Sequence, residues 1–341
     1  MTSVEAAVGA KPGAMALWKR LLLSEYLVLL LTAIYFLIIW PVIPEIGTAD
    51  TLLDILSAMM PLLVVAIGQT FVLIVAGIDL SAPSIIAMAS VVGASVMTGD
   101  AGYASGTGLE IPAGILTFLA VGGIIGMFNG LCTTRFGMPS FIVTLTAMMF
   151  FSGAAIWYTA VHTDASSIGN LPPGFVVIGQ GQIGGLPYSL GVVLVVAAVA
   201  HFVLSRTVYG NWLYAVGLNP RAAAVSGVPV RSVVFWAFVI SGTCAAISSI
   251  LYTGRLETGT PVLGQRILLD VIGAAVIGGV SLFGGKGKIL WTVFGVLFLS
   301  VIDKSLQLLG LPIASVFAIK GSVILLAAVI DALRHRFLVR S

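Results

Sequence analysis

The chain has 341 residues, of which 59% are hydrophobic and only 9% charged, with a formal net charge of +3. Soluble domains carry about 25% charged residues, so this composition excludes a water-soluble enzyme or binding module. The basic residues are spread over short segments between apolar runs, so the net charge implies no nucleic-acid partner.

Mean hydropathy is +1.14, and runs of about 20 apolar residues, the length that crosses a bilayer as helix, recur along the chain. The class is an all-α polytopic membrane protein; a β-barrel would show short alternating segments instead. In chain order, Lys11, Lys19 and Arg20 precede "LLLSEYLVLLLTAIYFLIIW", which reads as a retained span rather than a cleaved signal. Ten transmembrane helices are predicted at about 21–40, 52–76, 82–98, 111–133, 139–160, 188–205, 232–253, 267–282, 289–309 and 312–333. This gives an N-terminal segment 1–20, one membrane domain 21–333 and a basic tail 334–341.

Charge orients the map. With the N-terminus inside, the inner segments hold Lys11, Lys19, Arg20, Arg135, Arg206, Arg221, Arg231, Lys286, Lys288, Arg334, Arg336 and Arg340. The outer loops hold only Arg255 and Arg266. Positive charge marks the cytoplasmic side, so both termini and the 206–231 segment are expected there. The 161–187 loop, without Lys or Arg, is expected in the periplasm.

Between the second and third spans stands "GIDLS" at 77–81. Asp79 and Ser81 are N-capping residue types, and Pro83 suits a first helical turn. A helix broken over 77–83 follows, with Asp79 either capping the break or facing the solute path. Gly122, Gly126 and Gly130 recur every four residues on the fourth span, the spacing for close helix contact. The cysteines Cys132 and Cys244 lack metal or redox spacing and read as packing residues.

The inner segment "AVGLNPRAAAVSGVPV" at 215–230 is built with unusual care. Asn219 is an N-cap, Pro220 opens a helix of about two turns, and Gly227 with Pro229 ends it. So short a helix is not stable alone. Ala222, Val225 and Ser226 share one small face, suited to a groove in another protein. Further on, "GGVSLFGGKG" at 278–287 fails the nucleotide-binding loop pattern, because Lys286 is followed by Gly287 and Val280 stands where a glycine is needed. Gly284, Gly285 and Gly287 are expected to make a tight inner turn, with Lys286 and Lys288 near lipid phosphates or a partner. In the last span, a lone Lys320 would cost roughly 3 kcal/mol in lipid. Three readings fit it: a pair with Asp303 on the preceding span, water and carbonyls along a solute path, or a span boundary that lies closer to Lys320.

Three stretches, "GIDLS", "AVGLNPRAAAVSGVPV" and "LDVIGAAVIGGVSLFGGKGKILWTVFGVLF" at 269–298, resemble the permease subunit of ribose-type bacterial ABC sugar importers. The weaker "MPSFIVTLTAMMFFSG" at 138–153 joins them, so the likeness runs from about 60 to 331. Where that family's motif usually reads Gly-Gly-Ile-Asp-Leu-Ser-Val-Gly, this chain has Ala76 and Ala82–Pro83, and Asp303–Lys304 stands where Asn-like residues are usual.

The resemblance implies a homodimer in the bacterial inner membrane. It also implies ATP and magnesium on a separate cytoplasmic ATPase, and a periplasmic sugar-binding protein docking near Arg255, Glu257 and Arg266. Gly217, Asn219, Pro220, Arg221, Ala222, Ala223, Val225, Ser226 and Gly227 become the ATPase-coupling segment. By their own chemistry, Asp79, Ser81 and Lys320 are translocation or broken-helix candidates. No cofactor or metal is expected on this chain, and no catalytic set is present. Nucleoside or branched-chain amino acid transport is the neighbouring alternative, and an ion-coupled carrier a remoter one.

Overall fold

The computed structural model describes residues 26–339, with side chains through Val329. The N-terminal segment 1–20 lies outside them. Among the described residues are thirteen α-helices and one two-stranded hairpin. The helices are α1 (Leu27–Ile39), α2 (Ala49–Ile74), α3 (Ala82–Met97), α4 (Glu110–Arg135), α5 (Ser140–His162), α6 (Pro173–Gln180), α7 (Tyr188–Arg206), α8 (Val208–Leu218), α9 (Pro220–Val225), α10 (Val230–Leu256), α11 (Leu268–Gly278), α12 (Ile289–Leu308) and α13 (Ile313–Val339).

A helix stands at each of the ten predicted positions. Six of them, α2, α4, α5, α7, α10 and α12, are long and apolar enough to cross a membrane. The described parts of α1, α3, α11 and α13 are shorter. The eighth predicted span, 267–282, is corrected most. Its helix α11 has 11 residues, a rise of about 17 Å, roughly half the hydrocarbon core. The helix stops at Gly279, whose φ of 112° no residue with a side chain readily adopts. The helix α13 also runs past the expected boundary at 333, its backbone continuing to Val339.

The helices α2 and α10 form the centre. The face of α10 packs on α2, α3, α4 and α6, and Val64, Ala66, Ile67, Ala237, Phe238 and Ala245 are fully enclosed there. The close approach of α4 to α10 comes from the four-residue glycine spacing. A Cβ on Gly126 would lie 2.6 Å from the Phe238 carbonyl oxygen, and one on Gly130 would lie 2.9 Å from that of Phe235. The stripe therefore packs within the chain. Cys244 is buried against Gly68 of α2, as a packing residue would be.

The segment 161–187 is more ordered than its sequence suggested. It holds α6 and a hairpin, Gln182–Ile183 against Leu186–Pro187, turning on Gly184 and Gly185 at φ of 58° and 84°. Positive φ at both central residues suits the twist of a two-residue hairpin. Ile168 and Gly259 exchange backbone hydrogen bonds of 2.8 Å, tying this segment to the 257–267 loop.

Candidate functional site

The segment 206–231 folds as two helices, α8 and α9, where only the second was foreseen. Asn219 ends α8 and begins α9, its Oδ1 accepting hydrogen bonds of 3.0 Å from the N–H groups of Arg221 and Ala222. Gly227 follows α9 at φ 84°, and its N–H and that of Val228 bond the carbonyls of Ala224 and Ala223. Sequence logic for both caps therefore matches the geometry. Arg221, Ala222, Val225 and Ser226 point outward, with Val225 92% exposed. Ala223 points inward at 5% and joins the main core. It seats the helix on its own chain, so among the coupling candidates it is not part of the outward face.

What holds α9 in place is a junction of three backbones. At Gly217, just before the cap, an added Cβ would collide with the Ile74 carbonyl oxygen at the end of α2. The same carbonyl accepts a 2.8 Å hydrogen bond from Gly285 N–H. A Cβ on Gly284, at φ 83°, would lie 2.8 Å from Ala76 Cβ and 2.9 Å from the Gly217 carbonyl oxygen. Tyr214 of α8 donates a 2.7 Å hydrogen bond to the Gly287 carbonyl, and burial raises the pKa of its hydroxyl, which keeps it a donor. The foreseen tight turn at 284–287 is thus a wedge between α8 and the end of α2. Lys286 and Lys288 leave it outward, their ammonium groups 5.6 and 5.2 Å from the Trp291 ring.

Above this junction the chain breaks between α2 and α3. Ala76 takes φ 59°, the left-handed region that closes a helix end, and Gly77 N–H returns to the Val72 carbonyl at 2.9 Å. Asp79 is 1% exposed. Its Oδ1 accepts from Ser81 N–H at 2.9 Å and Ser81 Oγ at 2.6 Å, and its Oδ2 from Ser241 Oγ of α10 at 2.8 Å. Asn129 of α4 donates to Ser81 Oγ at 2.7 Å. With its amide nitrogen turned toward the Asp79 carbonyl oxygen, Gln69 donates to it at 3.1 Å and accepts from Asp79 N–H at 3.3 Å. Ser140 and Thr144 of α5 serve the N–H and carbonyl of Ile78. Nonhelical backbone inside a membrane needs such partners. Ser81 occupies the N-cap position of α3, but its side chain makes no capping bond; the aspartate two residues earlier closes the turn instead.

Lys320 belongs to a different network. Its Nζ lies 3.1 Å from Asp303 Oδ1, the partner foreseen, and 2.7 Å from Asp270 Oδ2, which sequence reasoning missed. Asp270 lies 50 residues away in sequence; only the contact of α11 with α13 brings it there. Lys304 pairs instead with Asp54 on α2, at 2.8 Å. No hydrogen bond links the Asp79 and Lys320 networks among the described residues.

The structure is thus a multi-pass helical membrane protein with a short helix, α9, seated on its own bundle through Ala223 and leaving Val225 in the open. The sequence places it further: residues 51–329 match the family described as branched-chain amino acid transport system / permease component, and the chain belongs to that family. It is 31% identical to the ribose import permease protein of Haemophilus influenzae over 84% of this chain and 87% of that one. It is 31% identical to the D-allose transport system permease protein of Escherichia coli over 84% of both chains. It is 32% identical to the galactose/methyl galactoside import permease protein of Haemophilus influenzae over 83% of this chain and 86% of that one. No solved structure matches. The chain is a transport subunit of the inner membrane, not an enzyme.

Proposed function

We propose that the chain is the permease subunit of an ATP-driven importer for a monosaccharide or similar small polyol. Two copies would form the path, a separate ATPase would bind magnesium and ATP beneath each α9, and a periplasmic binding protein would deliver the solute. The observation that carries this reading is the α9 face. Ala222, Val225 and Ser226 stand in the open, on a helix whose base is wedged by Gly217 and Gly285 against the end of α2. A partner's push on α9 would have a direct mechanical route to the break at Asp79. Sugar is favoured by the import permeases for ribose, allose and galactose that the chain resembles.

Charge distribution supports both termini and α9 on the cytoplasmic side. Residues 21–333 would then form one membrane domain, with 161–187 and 255–268 receiving the binding protein. Asp79 and Ser81 would hold the helix break. Branched-chain amino acid transport is the second reading, because the matching family carries that description; nucleosides would need the same architecture. Family membership weighs against an ion-coupled carrier.

The test is reconstitution in liposomes with the cognate ATPase and binding protein. ATP-dependent uptake of ribose, allose or galactose, by a complex holding two copies of this chain, is expected. Uptake of leucine but of none of the three sugars would move the assignment to the second reading.

A further inference from the structure

Twenty-odd ångströms from the glycine junction, the cluster around Lys320 lines a cavity of about 140 Å³. The distance follows from α12, since Ile289 to Asp303 is about 21 Å of helix. Tyr252, Ser300, Asp270, Asp303 and Lys320 line it together with apolar neighbours such as Leu62 and Leu299. The cluster lies at the end of the bundle opposite α9, near the C-terminal end of α10 and the N-terminal end of α11.

Several polar atoms here are left over after the ion pairs form. Lys320 bonds one oxygen of Asp270 and one of Asp303. Gln307 takes the second oxygen of Asp303 at 2.8 Å. The second oxygen of Asp270, the Tyr252 hydroxyl and the Ser300 hydroxyl make no hydrogen bond among the described residues, and all three residues line the cavity. Polar side chains within a membrane are costly without partners.

Charge narrows what these groups accept. A cation would find a single free carboxylate oxygen, on Asp270, whose other oxygen already holds an ammonium at 2.7 Å. An anion would meet two carboxylates against that single ammonium. An apolar ligand would cover charged and hydroxyl groups without bonding them. A neutral molecule with several hydroxyls donates to Asp270 and exchanges hydrogen bonds with Tyr252 and Ser300. In size, a cavity near 150 Å³ takes about six heavy atoms, as benzene does in an apolar case. That is a small triol, or one edge of a sugar ring.

We infer that the pocket between α10, α11, α12 and α13 is a binding site for a neutral polyhydroxylated solute, with Asp270, Tyr252 and Ser300 as its contacts and Lys320 and Asp303 as positioning residues. It rests on the sugar-import reading for the solute class, but its test does not need transport.

The test uses the permease–ATPase complex in nanodiscs, with Cys132 and Cys244 replaced by alanine and Ser300→Cys introduced. Alkylation by N-ethylmaleimide is followed with glycerol, ribose, allose and galactose as probes. At least one probe at millimolar concentration is expected to slow alkylation about fivefold or more. Tyr252→Phe, which removes only the hydroxyl, is expected to raise the protecting concentration about three- to tenfold, the worth of one hydrogen bond. Equal alkylation rates with and without all four probes would overturn the proposal. If Ser300→Cys fails to assemble or resists the reagent, equilibrium dialysis of the radiolabelled probes decides. Saturable binding weakened about three- to tenfold by Tyr252→Phe supports the site, and absent or unchanged binding removes it. Protection without uptake of any sugar would leave the pocket standing and defeat the sugar assignment. Uptake without protection would do the reverse.

Discussion

At the α9 end, Gly217, Gly284 and Gly285 bring three stretches of backbone together with almost no side chain between them. At the opposite end, Lys320, Asp270 and Asp303 hold three helices together through charge. The first contact depends on shape. It should transmit a displacement and be indifferent to salt. The second depends on pairing: Lys320 lies 2.7 Å from Asp270 and 3.1 Å from Asp303, and such groups are tolerable together and expensive apart. If α9 couples the chain to an ATPase as proposed, a push there would pass through the first kind of contact toward the second.

The largest effect is expected at the charged end. Lys320→Met strands two carboxylates and is expected to cost about 3–5 kcal/mol, read as lost expression or a large drop in thermal stability in detergent. Adding Asp270→Asn and Asp303→Asn should restore much of it. A triple variant no more stable than Lys320→Met would show that the cluster is not held by these ion pairs.

At the glycine end, Gly217→Ala puts a methyl group against the Ile74 carbonyl. Neither backbone can rotate away as a side chain would, so the cost should reach about 1–3 kcal/mol and uptake should fall further than stability. Equal losses at Gly217→Ala and at Gly123→Ala, where a Cβ meets nothing within 4 Å, would deny the junction any special role.

A smaller change should go the other way. Ala76 holds φ 59°, which costs a residue with a Cβ about 1–2 kcal/mol. Ala76→Gly should therefore raise thermal stability by about 1 kcal/mol, less the unfolded-state entropy that glycine adds. The smallest effect is expected at Lys304→Gln. Its pair with Asp54 is at the surface, with Asp54 side chain 60% exposed, and such pairs are worth about 0–1 kcal/mol. Measured beside Lys320→Met, it separates a surface ion pair from a buried cluster.

How much of this was legible depended on whether the signal was local. The caps of α9 were, because Asn219-Pro220 and Gly227 act within a few residues of themselves. The helix positions were, because bilayer thickness fixes an apolar length. The break at 77–83 was visible from Asp79 and Ser81, yet the division of labour between them was not. Asp79 closes the turn with help from Ser241 and Gln69, which are distant or on the preceding helix. Asp270 was invisible as a partner of Lys320, because only the short reach of α11 brings it there. The inward turn of Ala223 was missed because a run of three alanines carries no amphipathic pattern to tell one face from another. The glycine junction was present in the sequence as three separate motifs, with nothing to say that they touch.

The proposed function stands or falls on whether the exposed face of α9 couples this chain to an ATPase. Val225→Glu tests it most directly: the side chain is 92% exposed, so a change there should move the chain's own stability by no more than about 0.5 kcal/mol. The measurement is ATP-driven uptake by the reconstituted importer, with thermal stability of the isolated permease read in parallel. Uptake reduced at least tenfold, with stability unchanged, is the result this account expects. Wild-type uptake and normal ATPase association in the same variant would contradict it.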